Sequence, residues 1–471
     1  MKQAMKTRFD SKKAYEYLEH LAVKIGPRLT GSEGEHKAAR YIGKIFRSFG
    51  LKTRFQKYPC LTYANKKCTF EVQEGGRWRA IPATPIMLTT STPPRGLEGE
   101  IHFAHTGDLE YFSPEMKGKI VMVCGNISAD NRPRFLSYKP QALIVIEESI
   151  KEAPRRGGIG DENRKTYGNL PMAVIRHLDG LEIIKKGLRR ARLTMINTDR
   201  KSHCLNVIGE KAGTDFADEI VVICGHYDSH MGISGATDNA AGTAIVMELA
   251  RVLSQSPSRR TLRFIAFSGE ETGLHGSTFY ADELARQAAR QKKKPAFREN
   301  VDKTECDRHR LTFNLDVHGC ILGRNLATFS GVDDIGVSVQ LLAKETGVFC
   351  KVEKKPMSSD GTPLAAVGIP NVQWARYGGT TEHYGHSDMD VIRYLSADAL
   401  AEAGEFAERY LRRYVTDIPT FPFPREIPED QNKQVKDYFT KAKFKMPGDL
   451  EAMKKEKKRP VRKKARRPRR K

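Results

Sequence analysis

No run of 18 apolar residues occurs anywhere in the 471-residue chain, so a membrane-spanning helix is not expected. The amino terminus, MKQAMKTRFDSKK, is positively charged but has no apolar stretch behind it. A secretory signal is therefore not expected, and a cytoplasmic location is the default expectation. The eight cysteines (60, 68, 124, 204, 224, 306, 320 and 350) include no CxxC pair. That spacing argues against a structural zinc ribbon and fits reduced, mostly buried thiols. Any metal site then has to be assembled from His, Asp and Glu. A strong basic field is also missing from most of the chain. Residues 451–471 hold 13 Lys or Arg against 2 Glu, so +11 of the net +23 falls in the last 21 residues.

What remains is a chain of 39% apolar and 29% charged residues, the composition of a soluble globular protein. Its length exceeds one ordinary core, which predicts two domains with appendages. Residues 10–51 read as two helices around the turn Gly26-Pro27-Arg28. The first carries Ala14, Leu18, Leu21 and Ala22 at helical spacing. The second carries Ala38, Ile42, Ile45, Phe46 and Phe49 and stops at Gly50. Between 59 and 199 short β-like runs (101–104, 119–124, 142–146, 173–175 and 193–196) alternate with Gly, Pro and polar turns. The charged, glycine-rich stretch 147–170 reads as a long loop. From residue 203, strand-like and helix-like segments alternate. Apolar runs at 220–224, 262–267, 312–315 and 372–375 are interleaved with helices after Asp238 and over 277–291. The Lys- and Arg-rich insert 292–310 reads as a surface loop.

This pattern predicts an α/β fold, a mixed and largely parallel sheet flanked by helices, with an inserted mostly-β unit. The expected divisions are N-terminal helices of the main domain over 1–58, the insert over 59–199 and the main domain over 200–415. A proline-containing linker with a short amphipathic piece and a disordered basic tail should fill 416–471.

Functional groups of open α/β sheets collect beyond the carboxyl ends of the strands. Here His226 follows Cys224-Gly225, the adjacent carboxylates Glu270 and Glu271 follow Phe267-Ser268-Gly269, and Asp316 ends Phe313-Asn314-Leu315. Asp238 and His386 stand in comparable places. Hard oxygen ligands, imidazoles and a spare carboxylate are what a metal-assisted hydrolase needs. Singly, each is more simply a satisfied loop residue. Converging from separate strand ends, they describe one site.

The strings HYDS (226–229), GATDNAAG (235–242), SGEETGLHGS (268–277), NLD (314–316) and HSDMD (386–390) resemble the co-catalytic di-zinc aminopeptidases. GPRLTGSEGEHKAARYI (26–42) is also typical of that family's opening helical turns. The resemblance covers about 26–50 and 203–395. It implies a zinc-exopeptidase, phosphorylase/hydrolase-like fold, two Zn2+ per chain (Co2+ or Mn2+ being possible) and peptide substrates with free N-termini. It further implies that His226, Asp238, Glu271, Asp316 and His386 ligate metal, with the carboxylate of Asp238 bridging both ions and that residue held by a peptide bond to Asn239 that is often cis. Asp228 would orient His226. Glu270 would act as general base rather than ligand. The pairing of Asp316 and Glu271 with the two histidines stays open, and His383 is a rival for His386. His230, His275 and His318 match no ligand position and read as rim or packing residues.

Family members often carry a tyrosine just before the final histidine to stabilise the tetrahedral oxyanion. Here that place is Gly385, with Tyr377 and Tyr384 nearby as alternatives. Arg376 is a candidate substrate contact, with a surface salt bridge as the bland alternative. The block 59–199 resembles the protease-associated domain inserted into such peptidases, which would form a lid over the cleft. Carboxypeptidases and glutaminyl cyclases share the scaffold and provide a second enzyme reading. A receptor or scaffold protein that kept the fold and lost the metal provides a third. The basic tail is a candidate for binding a polyanion such as nucleic acid, anionic lipid or wall polymer.

Overall fold

The computed structural model describes residues 8–125, 127, 131–150, 152–298 and 302–448. The expected basic tail at 451–471 lies outside the described residues. Among those residues no helix is long and apolar enough to cross a membrane.

The strands that carry the site form the middle of a mixed, largely parallel sheet. Phe216–His226 lies between Arg260–Phe267 and His309–Leu315, parallel to both, and Asn371–Tyr377 runs parallel to His309–Leu315 on its other side. Arg324–Ser330 joins antiparallel to Asn371–Tyr377, and Cys350–Lys354 closes that edge in parallel. Alternation along each strand divides its side chains between two cores. Val221, Ile223, Phe264, Leu311, Phe313 and Trp374 face one layer of helices, which includes Ser11–Glu19, Gly242–Ser254 and Ala397–Leu411. Val222, Cys224, Ile265 and Phe267 face the other side, under His275–Lys292 and Gly361–Ala365. Burial on both faces is why these strands read as continuous apolar runs. At ~25 cal/mol per Å² of apolar surface, that double burial stabilises the platform on which the strand-end loops stand.

Two long strands join this sheet to a second one. Lys52–Glu74 and Arg190–Lys211 pair antiparallel along nearly their whole length. One end of Arg190–Lys211 pairs with Arg260–Phe267, and the other with Leu97–Phe103. From there Ile120–Cys124, Ala142–Ile146 and Met172–Ile175 continue in parallel, and Ala83–Pro85 closes the edge. Both expected divisions, at 58/59 and 199/200, thus fall inside strands that run through them unbroken.

The stretch expected to be one loop at 147–170 contains the helix Asp161–Tyr167. The amphipathic piece of the C-terminal segment is the helix Glu429–Ala442. It buries Val435 and Phe439 against Ala365, and so is anchored to the main core rather than trailing from it.

Candidate metal centre

His226 is the last residue of its strand and is 1% exposed. Its Nε2 lies 3.2 Å from Asp238 Oδ1 and 3.2 Å from Asp316 Oδ1. Asp316 extends the neighbouring parallel strand by one residue, so sheet register alone sets those two side chains side by side. Asp238 arrives from the loop before the helix Gly242–Ser254, and its peptide bond to Asn239 is cis. Asn239 ties that loop to the strand end by donating to Leu315 O at 2.9 Å and accepting from Val317 N at 3.2 Å.

The other oxygen of Asp238 faces the second group. His386 Nε2 is 3.0 Å from Asp238 Oδ2 and 3.4 Å from Glu271 Oε2. His230 Nε2 is 2.9 Å from the same Glu271 oxygen. Two clusters of donor atoms result, each within 4.8 Å of one another: His226, Asp238 and Asp316, and then His230, Glu271 and His386. Donor atoms around a zinc with bonds of ~2.0–2.1 Å sit roughly 3.3 Å apart, so these separations suit that ion.

Charge supplies a second test of fit. Burial drives the carboxyls of Glu270 and Glu271 well above the ordinary range, and neighbouring carboxylates add to it: Asp316 for Glu270, Asp238 for Glu271. Burial opposes ionisation of Asp238 too, but the imidazoles of His226 and His386 overcome it and hold that carboxyl well below its usual value. His226 is buried, yet Asp316 and Glu270 raise it well above an ordinary imidazole. Acidic groups crowded this closely out of water need cations. The residues fit zinc.

Glu270 belongs to neither donor cluster. Its Oε2 stands 3.9 Å from His226 Nε2. Asp228 lies behind the site. Its Oδ1 faces His226 Nδ1 at 3.5 Å, and its carboxylate accepts from Thr30 Oγ1 at 3.0 Å, Glu270 N at 3.2 Å and Glu271 N at 3.4 Å. One buried carboxylate therefore backs the imidazole and pins the turn that presents both glutamates. Gly269 makes that turn possible. Its φ is +74°, and a Cβ there would stand 2.9 Å from Tyr58 Oη.

The donor clusters open into a cleft of about 410 Å³, also lined by Arg155, Tyr377, Glu382 and Phe444. Tyr377 is at the end of its strand, and its hydroxyl has a weak acceptor, Met357 Sδ, at 3.8 Å. Burial and the nearby Asp316 raise this phenol above its ordinary value.

Three sequence readings change here. Arg376 does not reach the cleft. Its side chain is spent on Cys320 O, Asn325 Oδ1, Ile321 O and, at 3.0 Å, Glu402 Oε1. Adjacent strand residues point to opposite faces, so with Tyr377 in the cleft Arg376 is turned away. Tyr384 does not line the cleft either, and its ring stacks on Tyr394 at 5.3 Å. His230, read as a rim or packing residue, belongs to a donor cluster. His383 is exposed and lies in neither cluster, and His318 is spent on Trp374 O at 2.9 Å.

Sequence reasoning also passed over the support of Asp316. Ser359 Oγ donates to Asp316 Oδ2, and Asn314 Nδ2 donates to Ser359 Oγ at 2.6 Å. The available signal was Asn314 itself, since a polar side chain within a buried strand requires a partner.

The comparisons with known proteins agree with this geometry. The sequence profile described as Peptidase family M28 matches residues 206–411. Aminopeptidase YwaD of Bacillus subtilis is 26% identical over 411 residues, covering 84% of this chain and 83% of that protein. Carboxypeptidase Q of Bos taurus is 24% identical over 294 residues, 57% of this chain and 60% of the relative. Among solved structures, a zinc aminopeptidase from Bacillus subtilis superposes with a TM-score of 0.68 at 25% identity, covering 90% of this chain and 99% of the other. Strand-end carboxylates and imidazoles at zinc spacing, the profile matched over 206–411 and near whole-chain similarity to a zinc aminopeptidase make this chain similar to the zinc exopeptidases of peptidase family M28.

Proposed function

We propose that the chain is a di-zinc aminopeptidase that removes residues from the free N-termini of peptides, with Glu270 as general base. The observation that carries this reading is the two-sided Asp238. One oxygen faces His226 and the other faces His386, the disposition of a carboxylate shared between two cations. On this reading one ion would be held by His226, Asp238 and Asp316, and the other by Asp238, Glu271 and His386. When bound, two zinc ions polarise the scissile carbonyl and lower the pKa of a water nucleophile.

Glu270 stands beside both donor sets without belonging to either. Its carboxylate, on the cleft wall beside His226, is placed to take the proton of the attacking water and return it to the leaving amine. Asp228 fixes the direction of His226 and of the Glu270–Glu271 turn. Tyr377, whose hydroxyl has only a weak acceptor, is the donor available to an oxyanion formed in the cleft.

The 59–199 unit would serve as a protease-associated lid. Support for this comes from Arg156, whose Nε donates to Asp388 Oδ1 at 2.9 Å and whose backbone N–H donates to His386 O at 2.6 Å. A lid fastened beside a ligand favours short peptides or loose chain ends over folded proteins.

Glu270→Gln tests the reading. Turnover of aminoacyl p-nitroanilides should fall to background while elemental analysis still finds two zinc ions per chain. An active Glu270→Gln protein refutes the base assignment, and a wild-type protein holding one zinc refutes the shared carboxylate.

One observation favours a carboxypeptidase as the second reading. Arg155 is an exposed cation on the cleft wall, able to receive a terminal carboxylate. Peptides blocked at the N-terminus and free at the C-terminus separate the two. Their hydrolysis would favour the carboxypeptidase.

A further inference from the structure

His230 lies four residues beyond His226, on the loop leaving the same strand, and is 5% exposed. Its Nε2 points at Glu271 Oε2 from 2.9 Å, and His386 Nε2 points at the same oxygen from 3.4 Å. The two imidazoles meet edge to face with centroids 4.2 Å apart. The three donor atoms therefore lie close together on the cleft wall, with Asp238 Oδ2 3.0 Å from His386 Nε2. Glu271 Oε2 could accept a hydrogen bond from each ring, which makes His230 as a mere orienter of Glu271 the competing account. Around a cation all four groups converge without conflict, since each contributes a lone pair.

We propose that His230 is a further ligand of the second cation, completing a set of two imidazoles and two carboxylates. This rests on the two-cation reading above and adds to it an asymmetry between the halves. The first ion would have one imidazole and two carboxylates, the second two imidazoles and two carboxylates. Imidazole suits zinc, copper and nickel, whereas carboxylate and water suit manganese and magnesium. The second position should therefore discriminate against manganese more strongly than the first, through a residue outside the ligand set that the sequence motifs imply.

The test uses the full chain, stripped of metal and reloaded with zinc or cobalt(II). X-ray absorption at the zinc edge of the wild-type protein counts imidazoles directly. Three histidine nitrogens over two zinc ions are expected, and two would overturn the proposal without any variant. His230→Gln keeps a hydrogen-bond donor for Glu271 but gives up a good zinc ligand. Chelator competition should then show the second zinc bound at least ~10-fold more weakly with the first unchanged, and manganese affinity altered less. The visible bands of the second bound cobalt should shift. If His230→Gln binds the second cobalt with wild-type affinity and an unchanged spectrum, His230 only orients Glu271 and the proposal fails. Failure of the wild-type protein to take up a second ion would instead defeat the two-cation reading itself.

Discussion

The two halves of the donor cluster are held by different kinds of structure. His226 and Asp316 terminate neighbouring parallel strands, His226 is 1% exposed, and both are braced by buried polar groups, Asp228 behind one and Ser359 behind the other. Glu271, His230 and His386 all come from loops. The His386 side chain is 40% exposed, its backbone sits at φ +58°, and its carbonyl accepts from Arg156 in a different sheet's loop. A side chain at a strand end inherits its position from the hydrogen-bond ladder. One on a loop needs tethers from elsewhere. The first half is therefore preformed by the core, whereas in the second the His386 backbone leans on a contact from another sheet's loop.

Several substitutions would break or sharpen that comparison. The largest effect is expected where the halves meet. Asp238→Ala should abolish turnover and carry zinc content, read by elemental analysis, toward zero, because on the proposed reading both ions would lose a ligand. Two tightly held zinc ions in that variant would show that the halves are independent. Next, Ser359→Ala removes the donor to Asp316 and should weaken the first ion by ~10-fold in chelator competition while sparing the second. Equal weakening of both would erase the distinction between them. The smallest effect is expected at the tether. Arg156→Ala should raise KM and loosen the second ion by a few-fold, leaving the first and the thermal midpoint nearly unchanged. An Arg156→Ala protein that loses the first ion instead would reverse the assignment of which half the cover supports.

How much of this was legible follows from the same contrast. The strand-end residues His226, Asp316 and the Glu270–Glu271 pair were readable because an apolar run marks where a strand stops. The chemistry then stands at the strand's last residue or within four residues beyond it. The largely parallel sheet was readable for the same reason. His230 was not, because nothing in the loop after Ser229 encodes a return toward Glu271. Arg376 is open in the sequence between a substrate contact and a salt bridge, and strand alternation decides for the salt bridge, since Tyr377 and Arg376 cannot both face the cleft. The C-terminal segment was only half legible. The helix Glu429–Ala442 shows in its amphipathic spacing, but the arrival of Phe444 at the cleft wall, against Gly273, depends on long-range packing that local sequence does not specify.

The shared pair Lys52–Glu74 and Arg190–Lys211 has a mechanical consequence. Flexible connectors let a cap swing open as a rigid body, but here two paired strands of 23 and 22 residues enter both sheets, so the joint is a girder. Opening by a large hinge rotation would mean breaking ladder hydrogen bonds along that girder. On the proposed peptidase reading, peptide entry would then rely on smaller movements, such as release of the contacts that Arg156 makes with Asp388, Met231 O and His386 O.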